Sequence, residues 1–255
     1  MKDMQWLKET VFCHRGLHNN RDIPENSRAA FLRAAKSGMG SELDVYLTKD
    51  GRLIVHHDAT LKRMCGMKLS PYRIDTDKLE NYPLIGTKET IPLFSDVLDD
   101  LGADGRLIVE IKTTTRVHAT CSAVYEALKD FPGKWCIESF NWAITDWWVK
   151  HHPEVVIGQL YDTYSFQFFP AKARRQYKKM DFLAIPVRKP RAEYFGKIKK
   201  EHPEKMIIMW TIRTAENYSA ALELADNIIF ECDDKNADYI SVDTAKKFLS
   251  AKASE

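Results

Sequence analysis

Eight short apolar runs, most of them rich in Val, Ile, Leu or Phe, recur along this 255-residue chain, with amphipathic stretches of helical period between them. That rhythm constrains the fold more than any other feature, because a strand–helix repeat needs a crossover at every step and so builds a parallel sheet covered by helices. The strand-like runs are 11–16, 40–48, 106–112, 135–140, 155–161, 180–186, 205–212 and 237–243. Helical patterns fill 27–37, 94–101, 118–131, 141–151, 166–179, 191–202 and 214–225, the first with Asn26 or Ser27 to cap it and Gly38 to end it. About eight such units favour closure into a TIM (β/α)8 barrel over an open doubly wound sheet, whose Gly-rich phosphate turn this sequence lacks. The length suits one barrel, so a single domain over residues 1–255 is expected. Residues 59–91, broken by Gly66, Pro71 and Pro83, read as a small insertion between the second and third barrel strands. The run 53–57 before it is expected to form a hairpin with the second strand.

Charge and cysteine usage narrow the function. Thirty-eight Lys and Arg against thirty-six Asp and Glu leave a net charge of +2, without the basic stripe that nucleic acid requires, so no nucleic-acid partner is expected. The five cysteines show no metal-finger or C-x-x-C spacing and read as reduced thiols. No run approaches the roughly 18 apolar residues of a membrane span, and the N-terminus has no signal-peptide core. A cytoplasmic protein without stable membrane insertion is the expectation.

The second strand reads SELDVYLT, and period-two alternation turns Glu42 and Asp44 to one face; in the third, VEIK does the same for Glu110 and Lys112. Barrel enzymes place their sites at the C-terminal strand ends, where these residues fall. Three carboxylates in one mouth repel one another unless a cation sits among them, and hard oxygen donors point to one divalent ion: Mg2+, Ca2+ or Mn2+. Of eight histidines, His118, His151, His152 and His202 lie on or beside helices, whereas His14 ends the first strand and His57 ends the 53–57 run. A histidine there suits general acid or base work, because its pKa lies near neutrality. His56 and His57 cannot both face inward on a regular strand, so only one is a candidate. Glu138 could be a further acid in the mouth.

HRG at 14–16, PENS at 24–27, ELDV at 42–45, DG at 50–51, HD at 57–58 and EIK at 110–112 form an ordered set, extended by Leu61, Arg63 and IPLFSDVL at 91–98. By these motifs the chain resembles the glycerophosphodiester phosphodiesterase family; SF at 139–140, WTI at 210–212 and ADYISVD at 237–243 look like its later strands. The resemblance implies metal-dependent hydrolysis of a small-molecule glycerophosphodiester to glycerol 3-phosphate and an alcohol. It implies Glu42, Asp44 and Glu110 as metal ligands, His14 and His57 as the acid/base pair, Arg15 and Lys112 on the phosphate, and Trp210 lining the pocket. Glu25 and Asn26 would support that shell or merely cap a helix. Two positions depart from the family pattern: Thr244 stands where a proline commonly follows the closing strand, and Arg213 where Asn or Asp is common. Arg213 is expected to pair with Glu216 or, if it reaches the mouth, to favour a second anionic group on the substrate. Two alternatives remain open: a lipid or lysolipid phosphodiesterase of the sphingomyelinase D type, with YSFQFFP at 164–170 against an acyl chain, and a non-catalytic barrel binding a phosphorylated metabolite.

Overall fold

The computed structural model describes residues 2–112, 115–161, 170–187, 192–233 and 235–253. Nine strands lie among them: β1 (Phe12–Cys13), β2 (Gly40–Leu47), β3 (Leu53–Val55), β4 (Arg106–Ile111), β5 (Lys134–Ser139), β6 (Ile157–Leu160), β7 (Phe182–Pro186), β8 (Met206–Ile212) and β9 (Asn227–Phe230). The chain divides into two compact units, Arg15–Trp135 on one hand and Met1–His14 with Cys136–Glu255 on the other.

In the first unit β2 pairs in parallel with β4 and antiparallel with β3, and the parallel register sets Asp44 beside Glu110. Seven of the eight β2 residues are buried, as a parallel strand covered on both faces must be. Its acids therefore need partners. The helix Arg28–Lys36 follows Ser27, whose hydroxyl accepts from the Ala30 amide as its cap, and it packs against the helix Phe94–Leu101. Between β3 and Phe94 the chain forms a four-residue helix, Lys62–Cys65, and two 3-10 turns, Pro71–Arg73 and Thr76–Asn81. Leu61, Met64, Ile74, Leu84 and Ile91 bury themselves in a satellite core with Ile54 and Leu93, which is how a stretch this long stays ordered.

Gly16, the last residue of HRG, has φ +78°, and a Cβ there would lie 2.8 Å from the Ala30 Cβ. Gly16→Ala is expected to cost about 2–5 kcal/mol, combining a left-handed residue at roughly 1–2 with overpacking at roughly 1–3. Urea unfolding compared with the parent chain checks it; a loss under about 0.5 kcal/mol, the scale of an ordinary surface change, would contradict the packing account.

In the second unit the strand order is β1-β9-β8-β7-β6-β5, all neighbours parallel. Helices Trp142–His151, Pro170–Lys179, Ala192–Glu201 and Ala215–Leu224 follow its strands, the first and last capped by the Asn141 and Thr214 side chains. A register irregularity between Met209 and Ile212 brackets Trp210, the kind of bulge that re-aims a side chain.

Two sequence expectations are corrected. The closing strand is Asn227–Phe230 and not 237–243. NIIF is too short, with three apolar residues in a row after Asn227, to be told by period from the end of the preceding helix. In DYISV, Ser241 instead accepts from the Thr244 amide and caps the helix Val242–Lys246, a local bond that competes with strand pairing. The second correction concerns β3, which ends at Val55, so the alternation rule does not govern His56 and His57. The aromatic stretch 164–169 lies outside the described residues. No helix among the described residues is long and apolar enough to cross a membrane.

Candidate active site

Parallel register and strand period bring Glu42, Asp44 and Glu110 together, each offering an oxygen within 4.8 Å of the others, all buried. Asp44 is fully enclosed. Its Oδ2 accepts from Asn26 Nδ2 at 2.8 Å, and Arg15 Nε stands 3.6 Å from the same oxygen. Lys112 Nζ bridges the pair, 2.9 Å from Glu110 Oε1 and 3.2 Å from Asp44 Oδ1, and beyond that ion-pair contact Oδ1 has no hydrogen-bond partner among the described residues.

Burial opposes charge on Asp44, yet Lys112, His57 and Arg15 outweigh it and hold the carboxyl below its ordinary range. Glu110 goes the other way. Burial, only partly offset by Lys112 and reinforced by the charge of Asp44, lifts it to about 7. The set fits a hard divalent cation: three carboxylate oxygens converge, one buried lone pair lacks a donor, and the third acid ionises only reluctantly without more positive charge. Because burial and the charge of Asp44 hold the Glu110 pKa well above the usual carboxylate range, a cation bound there would compete with a proton. Cation affinity is therefore expected to fall as pH is lowered through the raised Glu110 pKa, by up to about tenfold per pH unit. Calorimetric Mg2+ or Mn2+ titrations between pH 5.5 and 8 measure this; affinity independent of pH across the range would contradict it.

Arg15 has φ +57°, so its amide donates to Glu42 Oε2 at 3.0 Å, and its Nη1 donates to Glu25 Oε1 at 2.7 Å. Burial lowers its pKa, but Asp44, Glu25 and Glu42 together raise it. Glu25 also accepts from Arg63 on both oxygens at 2.7 Å. Burial would raise its carboxyl, and the two arginines overcome that and push it down. Arg63 then continues to Asp58, its Nε donating to Oδ2 at 2.7 Å, and Asp58 Oδ1 lies 2.8 Å from His57 Nδ1. His57 is the candidate of the two neighbours. His56 is buried with Nε2 3.3 Å from the Thr60 carbonyl, while burial lowers His57's pKa against the pull of Asp44.

The second unit carries the other sequence candidates. His14 Nδ1 lies 3.1 Å from Glu231 Oε2, and the same oxygen accepts from Arg213 Nη2 at 2.8 Å. Arg213 thus takes Glu231 as its partner, in place of the expected Glu216. Trp210 packs edge-on against Phe140 with ring centroids 5.8 Å apart. Its indole N–H is buried without an acceptor among the described residues. Glu138 is buried on β5.

Sequence reasoning missed Glu231 and undervalued Glu25, Asn26 and Asp58. Ser27 alone caps the helix, which leaves Asn26 to hold Asp44 and Glu25 to join two arginines. The adjacent HD pair and Arg63 were the available signal for Asp58. Glu231 gave none, because it follows the strand that the sequence hid.

The sequence model of the glycerophosphoryl diester phosphodiesterase family matches residues 14–229. The chain is 34% identical over 167 residues to a glycerophosphodiester phosphodiesterase of Caldanaerobacter subterraneus subsp. tengcongensis, covering 61% of this chain and 68% of that one. It is 36% identical over 115 residues to another of that name from Bacillus altitudinis, covering 42% and 46%. Among solved structures, an Oleispira antarctica phosphodiesterase in complex with the product sn-glycerol-3-phosphate superposes with a TM-score of 0.74 at 22% identity, over 95% of this chain and 96% of that one. A Thermotoga maritima glycerophosphodiester phosphodiesterase gives 0.70 at 24%, over 87% and 94%. These likenesses show the fold to be the closed eight-stranded parallel barrel expected from the sequence.

Proposed function

The chain belongs to the glycerophosphoryl diester phosphodiesterase family, and on that premise we propose that it hydrolyses glycerophosphodiesters to glycerol 3-phosphate and an alcohol. The observation that carries the proposal is the buried convergence of Glu42, Asp44 and Glu110 beside Lys112 and Arg15. Those three acids hold one divalent cation, Mg2+, Ca2+ or Mn2+, which when bound supplies Lewis-acid stabilisation to the phosphoryl oxygens.

The chain's own residues do the rest. Arg15 and Lys112 neutralise the diester's charge, and guanidinium and ammonium donors strengthen as charge builds on the oxygens in the transition state. Of His14 and His57, one takes the proton from the attacking hydroxyl, the substrate's own glycerol hydroxyl or water, as its oxygen bonds to phosphorus. The other protonates the alkoxide as its P–O bond breaks. Asp58 receives the Nδ1–H of His57, which leaves the lone pair on Nε2 for that exchange. Trp210, whose buried N–H has no acceptor among the described residues, is suited to line the substrate pocket.

A substrate panel tests the proposal. The chain is incubated with Mg2+ and glycerophosphocholine, glycerophosphoethanolamine, glycerophosphoinositol or lysophosphatidylcholine, and glycerol 3-phosphate and lysophosphatidate are measured. Glycerol 3-phosphate from the first three supports it. Lysophosphatidate alone would move the substrate to lipids, and hydrolysis of none of the four with metal saturating would overturn it.

A further inference from the structure

Three neighbouring strand ends in one unit present His14, Glu231 and Arg213 side by side. β1 pairs with β9 so that Cys13 stands opposite Phe230, which makes His14 and Glu231 the next residues on adjacent strands. Backbone bonds continue the ladder past both: the His14 amide donates to the Phe230 carbonyl at 2.8 Å and the Glu231 amide to the Ile212 carbonyl at 3.0 Å. Arg213 is the residue after β8, and its own carbonyl accepts from the Ile240 amide. The Glu231 carboxylate, largely buried, thus sits between the imidazole and the guanidinium, 3.1 Å from one and 2.8 Å from the other.

We infer that Glu231, held by Arg213, is the positioning residue of His14, fixing the ring's orientation and its tautomer for proton transfer. The inference rests on the reading of His14 as an acid/base group. An ionised carboxylate can only accept, so His14 donates through Nδ1 and keeps its lone pair on Nε2. When Nε2 takes a proton, the resulting imidazolium faces a carboxylate that stabilises it without accepting the proton. Arg213 guards that state. Burial would raise Glu231, but bonds from His14 and Arg213 hold it at about 2. The other unit pairs a histidine, a carboxylate and an arginine in a related way: His57 Nδ1 lies on Asp58 Oδ1, and Arg63 donates to both oxygens of Asp58, whereas His14 and Arg213 share one oxygen of Glu231. One clamp comes from adjacent residues in sequence, the other from strand ends 217 residues apart.

The test uses the full chain with Mg2+ and glycerophosphocholine, and variants Glu231→Ala, Glu231→Gln, Arg213→Met and His14→Ala. Glu231→Ala is expected to lower kcat by about 10²-fold, the worth of a positioned proton-transfer group, with KM nearly unchanged. In Glu231→Gln the amide oxygen still accepts Nδ1–H but the charge is gone, so the loss is about tenfold, as for one charge-assisted bond. Nitrogen-15 spectra of His14 should show Nδ1 protonated and Nε2 bare in the parent protein, with that signature lost in Glu231→Ala. If the alanine variant does not fold, Glu231→Gln and Arg213→Met decide by their kcat. Parent-like kcat in the Glu231 variants beside an inactive His14→Ala would overturn the inference and leave the catalytic reading standing. A fully active His14→Ala would overturn that reading itself.

Discussion

Asp44→Asn is expected to lower turnover of glycerophosphodiesters by about 10³-fold, the scale of a lost Lewis acid worth several kcal/mol in the transition state. The substitution keeps the shape of the side chain and the Asn26 contact on its remaining oxygen, but removes the anionic ligand at the centre of the cluster. Asp44 is held ionised by Lys112, His57 and Arg15 against burial. The amide also leaves Lys112 and Arg15 with surplus positive charge, which opposes a cation directly. Titration should accordingly find cation binding weakened at the same time as kcat falls. A kcat within tenfold of the parent, with metal saturating, would remove Asp44 from the ligand set.

His57→Ala and His14→Ala are each expected to reduce kcat by roughly 10²–10⁴, the range for a positioned general acid or base. Neither histidine is a large core residue, and truncating either leaves its carboxylate gripped by an arginine: Asp58 by Arg63 and Glu231 by Arg213. The unfolding midpoint should therefore move little while activity collapses. Loss of activity together with a large loss of stability would assign the histidine to the scaffold and not to the chemistry.

The acid cluster was legible because it depends only on backbone geometry. Period two puts Glu42 and Asp44 on one face of β2, and parallel pairing with β4 then sets Glu110 beside Asp44. No long-range packing had to be known. The same period put Lys112 on the face of Glu110, while Arg15 and the phosphate role of Lys112 came through resemblance. The network behind them was not legible. Glu25 reaches Arg63 across 38 residues, and inside PENS it could not be told from part of a helix cap. His56 and His57 were weighed as strand neighbours, yet β3 stops before them, so the turn and not the strand period selects His57. Glu231, the true partner of Arg213, was lost as well. Finding it requires β9, and three apolar residues after Asn227, close behind a helix, carry no period that distinguishes a strand. The eight-unit rhythm survived that error because a neighbouring alternating run, 237–243, supplied the missing count for the wrong reason.

Glycerol 3-phosphate release from glycerophosphocholine, followed continuously through chelation and metal replenishment, decides whether the buried acids work through a cation. The account predicts steady release with Mg2+, Ca2+ or Mn2+ present, cessation when EDTA is added in excess, and recovery when one of those cations is restored. Release that continues unchanged in excess EDTA would contradict it, because buried Glu42, Asp44 and Glu110 would then have no cation to hold.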